Sequence, residues 1–336
     1  MSDVAVTGGP AALRGKLGAS SAPTAARVDL RRALQLVLAA IWLLDGVLQY
    51  QPFMYTKGFA QMLGGTAAGN PSVIAHPITW DANLVEHHLV LLNTIFATIQ
   101  LLLGLGIAFR PTVRVALAAS IAWSIGVWWF GEGLGGVLNG GADPLNGAPG
   151  AVIIYALLAV LLWPADRAGA RAPFVAARAV GTQVAKALWL VFWLSQAYSA
   201  LTPDNRAPQA TNAMIAAMNS GEPGWLAALM RGAASLVAGQ GLATSVVFAV
   251  AFVLIAVGVY LPPAAAKATL VLAVVVSAVI WVFVQALGGI LASGATDPNS
   301  GLLLALLALT YWPTKPAPTE SGAVTTASPA VEGNLA

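Results

Sequence analysis

Asp45, Glu86, His87, His88 and Glu132 are ionisable residues set in or at the edges of long apolar runs. A charge at mid-membrane depth costs on the order of 2.5–3.5 kcal/mol on insertion scales, so each needs a physical reason. Imidazole beside carboxylate suits proton exchange, and it suits ligation of Zn, Cu(II), Mn or non-haem Fe. His87, His88 and Glu132 are the metal candidates. The same pairing near a membrane surface suits a quinone, and one imidazole suits haem, with His76 as a second ligand from another element. No His-x-x-x-His or Glu-x-x-His pair occurs, and adjacent histidines diverge by about 100° around a helix. The cofactor expectation is therefore open among quinone, haem and a divalent metal, and no catalytic residue is assigned.

Glu86, Asn93 and Gln100 recur every seven residues, which places them on one helical face. Such a polar stripe, reaching from the outer surface to mid-membrane, must face the bundle interior. Structural roles compete with functional ones. His87 and His88 can close a helix in the headgroup zone, Glu132 can bond free N–H groups of a Gly-rich turn, and Asn93 and Gln100 can join helices by hydrogen bonds. Asp143 and Asp297, each before Pro, read as turn and capping residues. Asp45 resists such a reading. It lies thirteen residues after Arg32, ~20 Å along a helix, with no basic neighbour.

The elements that must position these groups follow from composition. The 336 residues are 58% hydrophobic and only 9% charged, against roughly a quarter charged in soluble domains. That excludes a soluble enzyme, a disordered regulator and a nucleic-acid partner. The absence of cysteine excludes disulfides, thiolate metal sites and dithiol redox chemistry. A spanning helix needs about 20 mostly apolar residues. Eight segments qualify, at 33–50, 84–109, 113–130, 148–163, 187–201, 235–261, 265–291 and 301–312. The expected fold is all-α: a polytopic membrane protein of about eight transmembrane helices.

Arg14, Lys16, Arg27, Arg31 and Arg32 precede the first span. Arg110 and Arg114, then Arg167, Arg171, Arg178 and Lys186, then Lys267 and Lys315 fall on the same side. The positive-inside rule puts that side, and both termini, in the cytoplasm. A multi-pass protein of the cell membrane is expected, with the lipid bilayer as its first partner. The tails 1–32 and 314–336 are rich in Ala, Ser, Thr, Gly and Pro and are expected to be disordered.

Residues 128–142, WWFGEGLGGVLNGGA, match 281–295, WVFVQALGGILASGA, and the match resumes with Asp143-Pro144 against Asp297-Pro298 and Gly147 against Gly301. Trp163-Pro164 and Trp312-Pro313 close the two copies. Internal duplication accounts for this order. It predicts two parallel four-helix repeats, 33–163 and 187–313, joined by a cytoplasmic linker at 164–186. Gly131, Gly133, Gly135 and Gly136 either pack the third helix closely against a neighbour, the favoured reading, or break it into a site-forming end. The alignment sets Asp45 against Gln196, Glu132 against Gln285, and His87 and His88 near Gly239 and Gln240. At these positions the first copy has carboxylates and imidazoles where the second has amides or nothing ionisable, which points to a functional site in the N-terminal half and a structural role for the other half.

A four-span unit with basic residues before its first helix, Gly46 and Gln49 near that helix's outer end, and a Gly-rich third helix resembles the DoxX/DoxD-type membrane family, here as a fused pair. That resemblance implies a small membrane subunit associated with thiosulfate:quinone oxidoreductase or other redox systems. The leading expectation is an outward-facing polar site in an accessory or quinone-linked redox subunit, partnered by another membrane or extracytoplasmic redox protein. A small-molecule or metal-ion transporter and a non-catalytic scaffolding subunit are the alternatives.

Overall fold

The computed structural model describes residues 29–169 and 172–314. Most of both tails, expected to be disordered, and Arg171 lie outside these residues. Among the described residues the protein is all-helical, with one isolated bridge between Phe174 and Pro313. The chain runs through α1 (Leu30–Leu48), α2 (Lys57–Gly65), α3 (Ser72–His87), α4 (Leu89–Ala108), α5 (Val113–Phe130) and α6 (Ala151–Leu161). It continues through α7 (Val175–Val180), α8 (Thr182–Ala200), α9 (Ala210–Met218), α10 (Gly224–Val237), α11 (Gly241–Gly258), α12 (Pro263–Val279) and α13 (Asn299–Thr310). Four helical stretches are long and apolar enough to cross a membrane: α4, α5 with the turn before it, α11, and α12 with the turn after it. Their outward side chains, among them Val90, Leu102, Val115, Val247 and Val275, are exposed apolar groups, compatible with lipid contact.

Two long apolar runs are not single helices. The run 84–109 divides at His88, whose φ/ψ of −131°/35° leaves the helical region, so Glu86 and His87 end α3 rather than open α4. The run 235–261 divides at Ala238–Gln240, where Gly239 has φ +74°. The third helix also stops earlier than a packed glycine face requires. α5 ends at Phe130, and Gly133, Leu134, Gly135 and Gly136 follow with φ of 54°, 57°, 61° and 73°. These glycines therefore lie in a break and not on a helix face, yet they still pack closely, since a Cβ on Gly133 would press on the Thr66 carbonyl and one on Gly135 on that of Pro149. Close glycine packing also occurs between α1 and α4. A Cβ on Gly104 would lie 2.8 Å from the Ala39 carbonyl oxygen and 2.7 Å from Leu43.

The order α1–α6 recurs as α8–α13: a 19-residue helix, a short one, a third, two long ones and a short apolar one. Local geometry recurs with it. The Glu132 N–H reaches back to the Val127 carbonyl (3.0 Å) and the Gln285 N–H to that of Ile280 (2.9 Å), a wide helical turn in each case. The Trp128 indole donates to the Pro149 carbonyl (2.5 Å), and Trp281 to that of Pro298 (2.9 Å). Each loop beyond is clasped from the other half, by Asn205 Nδ2 on the Ala142 carbonyl (2.9 Å) and Gln51 Nε2 on that of Ala295 (3.2 Å). These bonds correct the alignment: Val152, not Gly147, occupies the place of Gly301.

One end of the bundle is basic. Arg32 caps the last turn of α4 through the Ile107 (2.9 Å) and Ala108 carbonyls, where a cation also meets the negative end of the helix dipole. Arg31 and Arg178 converge on Asp166 at 3.2 and 2.8 Å. The segment joining the halves is more than a linker, since α7 buries Val175, Ala176 and Ala177. The opposite end carries the glycine turns and most of the acidic residues.

Candidate functional site

Asp45 lies on the buried stripe of α1, in register with Leu38, Ile41, Trp42 and Leu48. It is 1% exposed, and neither carboxylate oxygen has a hydrogen-bond partner. A position built for an apolar side chain thus carries an acid, at a cost that burial of an unpaired polar group imposes on any fold. Asp45 faces a cavity of about 290 Å³, near the small end for ligand pockets, whose walls include Trp42, Gln49, Gln100, Trp123, Glu132 and Tyr155. The Tyr155 hydroxyl approaches the Asp45 carboxyl as a donor, just outside ordinary hydrogen-bond geometry. Its ring packs 4.4 Å from that of Trp42, whose indole donates to Ser120 Oγ (3.0 Å).

Glu132 sits in the turn beyond α5. Its Oε1 accepts from the Val152 N–H at the start of α6 (3.0 Å), while Oε2 is buried without a partner. Burial pushes its carboxyl up to about 8, with Asp297 adding to the rise and the α6 backbone N–H groups opposing it. At the same place in the other half Gln285 is satisfied throughout. Its Oε1 accepts from the Gly301 N–H (2.9 Å), and its Nε2 donates to the Leu145 carbonyl (3.0 Å) and Ser300 Oγ (2.8 Å). The amide completes a structural joint; the carboxylate leaves one oxygen free.

Two further acids enter the cavity wall, Asp81 from α3 and Asp297 from the second half. Asp297 caps its own turn, accepting from the Asn299 N–H (2.7 Å) and from Thr296 Oγ1 (2.8 Å). Burial raises both carboxyls. A second, more polar cavity of about 490 Å³ adjoins the first and shares Met62, Gly131, Glu132 and Asp297 with it. The site is thus not confined to the N-terminal half. Toward the basic end the bundle is filled: Leu38, Ile107, Leu117 and Leu158 are each 0% exposed.

Of the five ionisable residues singled out in the sequence, Asp45 and Glu132 line one cavity, and Glu86, His87 and His88 do not. Glu86 pairs with Lys57 at 2.9 Å, and that ammonium holds its carboxyl below the usual range. His87 Nδ1 bonds the Asn83 carbonyl (2.8 Å), and His76, His87 and His88 are all exposed. Because α3 ends at His87, Glu86 leaves the stripe drawn through Asn93 and Gln100. Asn93, fully buried, donates to the Gln49 carbonyl (2.7 Å) and ties α4 to the end of α1, while Gln100 lines the cavity. The metal set His87, His88 and Glu132 does not assemble. Among the described residues no three His, Asp or Glu side chains converge as metal ligands.

The second half holds only a small cleft among the corresponding helices. Aligning α4 with α11 from their first residues sets Asn93, Phe96 and Gln100 against Ser245, Phe248 and Phe252. Ser245 and Phe248 line a cleft of only about 10 Å³ with Ala200 and with Asp143, which crosses from the first half as Asp297 crosses from the second. Phe252, 1% exposed and 5.6 Å from the Trp193 ring, occupies the place of Gln100. Gln196 stands for Asp45 and Leu304 for Tyr155.

No protein-family model, curated protein or solved structure matches the chain.

Proposed function

We propose that this is a multi-pass protein of the cell membrane, with eight spans in two parallel repeats and both termini cytoplasmic, that binds a small molecule in an outward-facing cavity of its first repeat. The eight-span reading is supported by the recurrence of α1–α6 as α8–α13, and the orientation by the arginines gathered at one end. The binding function rests on one observation above the others: carboxylate oxygens of Asp45 and Glu132 are buried without partners around an open cavity. An unsatisfied buried group costs about 1–3 kcal/mol, more if charged, and these oxygens share one cavity with the unpartnered amide oxygens of Gln49 and Gln100, where a single ligand can meet them together. The filled core toward the basic end supports a one-sided binding or accessory role over transport.

An accessory role beside a quinone-linked redox enzyme, which the DoxX/DoxD-type resemblance implies, would use the same cavity. Support for it is the Tyr155 hydroxyl and the unpartnered Trp123 indole N–H, both donors suited to a quinone carbonyl. The test is a thermal-shift screen of single-ring amphipathic compounds (cationic, neutral and anionic) on the protein in lipid nanodiscs. At least one should raise the melting temperature of the wild type and not of a Gly126→Leu variant, whose new side chain would enter the cavity. A screen in which no compound of any charge does so would overturn the reading.

A further inference from the structure

The chemistry of the cavity wall narrows what can occupy it, if the outward-facing site proposed above is real. Asp45, Asp81, Glu132 and Asp297 line the cavity, and no Lys, Arg or His does. Asp45 Oδ1 and Oδ2 and Glu132 Oε2 make no hydrogen bond of ordinary geometry; the Tyr155 hydroxyl can serve one Asp45 oxygen, and the others, once ionised, are acceptors that lack a donor or a cation. Gln49 and Gln100 add amides that can present either atom. A bare metal ion fits poorly, because the carboxylates do not converge on one point as oxygen-ligated cations require. The compensating charge must therefore be carried on a body that spans the space between them. The rest of the wall fits such a body: Trp42, Phe59, Phe96, Trp123, Phe130 and Tyr155 supply aromatic faces, which attract a desolvated ammonium through their quadrupoles.

We propose that the cavity binds an organic cation, a protonated amine or quaternary ammonium on an apolar body about one ring in size, with Asp45 and Glu132 as its counter-charges, Glu132 releasing its proton to solvent as the cation enters. The second repeat supports the assignment. Gln196 and Gln285 occupy the equivalent places, so the helix ends themselves do not need the two acids. Phe252 and Leu304, both buried, stand there where the first repeat has Gln100 and Tyr155.

The experiment titrates the full chain in nanodiscs with benzyltrimethylammonium and with its neutral isostere neopentylbenzene, following tryptophan fluorescence and calorimetric heat. The cation should bind saturably and at least tenfold more tightly than the isostere. Asp45→Asn and Glu132→Gln should each weaken the cation at least tenfold and leave the isostere unchanged, while Asp166→Asn, at the basic end, should alter neither. Equal affinity for the two compounds would overturn the cation assignment and leave the binding site standing. Binding of neither compound, with wild-type melting intact, would overturn both. Both acid variants place an amide where the second repeat already carries one, and a thermal melt of each confirms that it is folded.

Discussion

Replacing Glu132 by Gln should make the protein more stable, and increasingly so as the pH rises. In the folded chain burial lifts the Glu132 carboxyl from 4.5 to about 8. A carboxyl whose folded value lies above its unfolded value carries no penalty below about 4.5, where both states are protonated. Between there and about 8 only the folded state keeps its proton, and stability falls as the pH rises. Each pH unit in that window costs about 1.4 kcal/mol, and the full interval on the order of 5 kcal/mol. Gln does not titrate, and Gln285 shows that an amide fits the same turn with its hydrogen bonds made. Wild type and Glu132→Gln should therefore melt alike near pH 4.5 and separate steadily from pH 5 to 8 in detergent or nanodisc melts, with the variant the higher. Parallel curves, or a variant that loses stability at pH 8, would refute the argument that this acid is buried at a cost.

Gly126→Leu should stabilise the helix by about 1 kcal/mol and abolish ligand binding, because a Cβ at Gly126 meets nothing within 4 Å and the residue lines the cavity; melting and ligand titration check the two effects together. Gly104→Val should destabilise by about 1–3 kcal/mol, since its Cβ would press on the Ala39 carbonyl, whereas Gly232→Ala, with open space around it, should be neutral or stabilising in the same melts. Glu86→Gln, His87→Ala and His88→Ala should leave benzyltrimethylammonium affinity within twofold of wild type, because none of the three lines the cavity; a larger loss measured by calorimetry would return those residues to the site.

Much of the architecture is legible in residue order. Apolar run length picks out the four long apolar helices, and the Trp-Pro and Gly-Gly matches go with a similar order of elements in the two halves. Hydrophobicity alone could not divide 84–109, because nothing at His88 announces a break: no Gly or Pro stands there. At 238–240 the signal was present in Gly239. Asp45 and Glu132 could be singled out because an acid inside an apolar run is costly wherever it points. His87 and His88 looked equally telling, but exposure removes that cost. Asp297 reads correctly as a capping residue and still escapes notice as a wall of the cavity. That role depends on its loop being clasped by Gln51, 243 to 244 positions away in the chain, a contact no local pattern encodes. The narrow cleft of the second half is invisible for the same reason, since Phe252 for Gln100 looks in sequence like one apolar residue among many.

The most direct measurement uses the absence of cysteine in the chain. Gly126→Cys supplies a single thiol on the cavity wall, open to modification by a membrane-impermeant methanethiosulfonate reagent. Labelling from the external face of intact cells, slowed at least fivefold by saturating benzyltrimethylammonium, is the predicted result. Labelling only from the cytoplasmic face, or at a rate the compound does not change, would contradict an outward-facing ligand cavity.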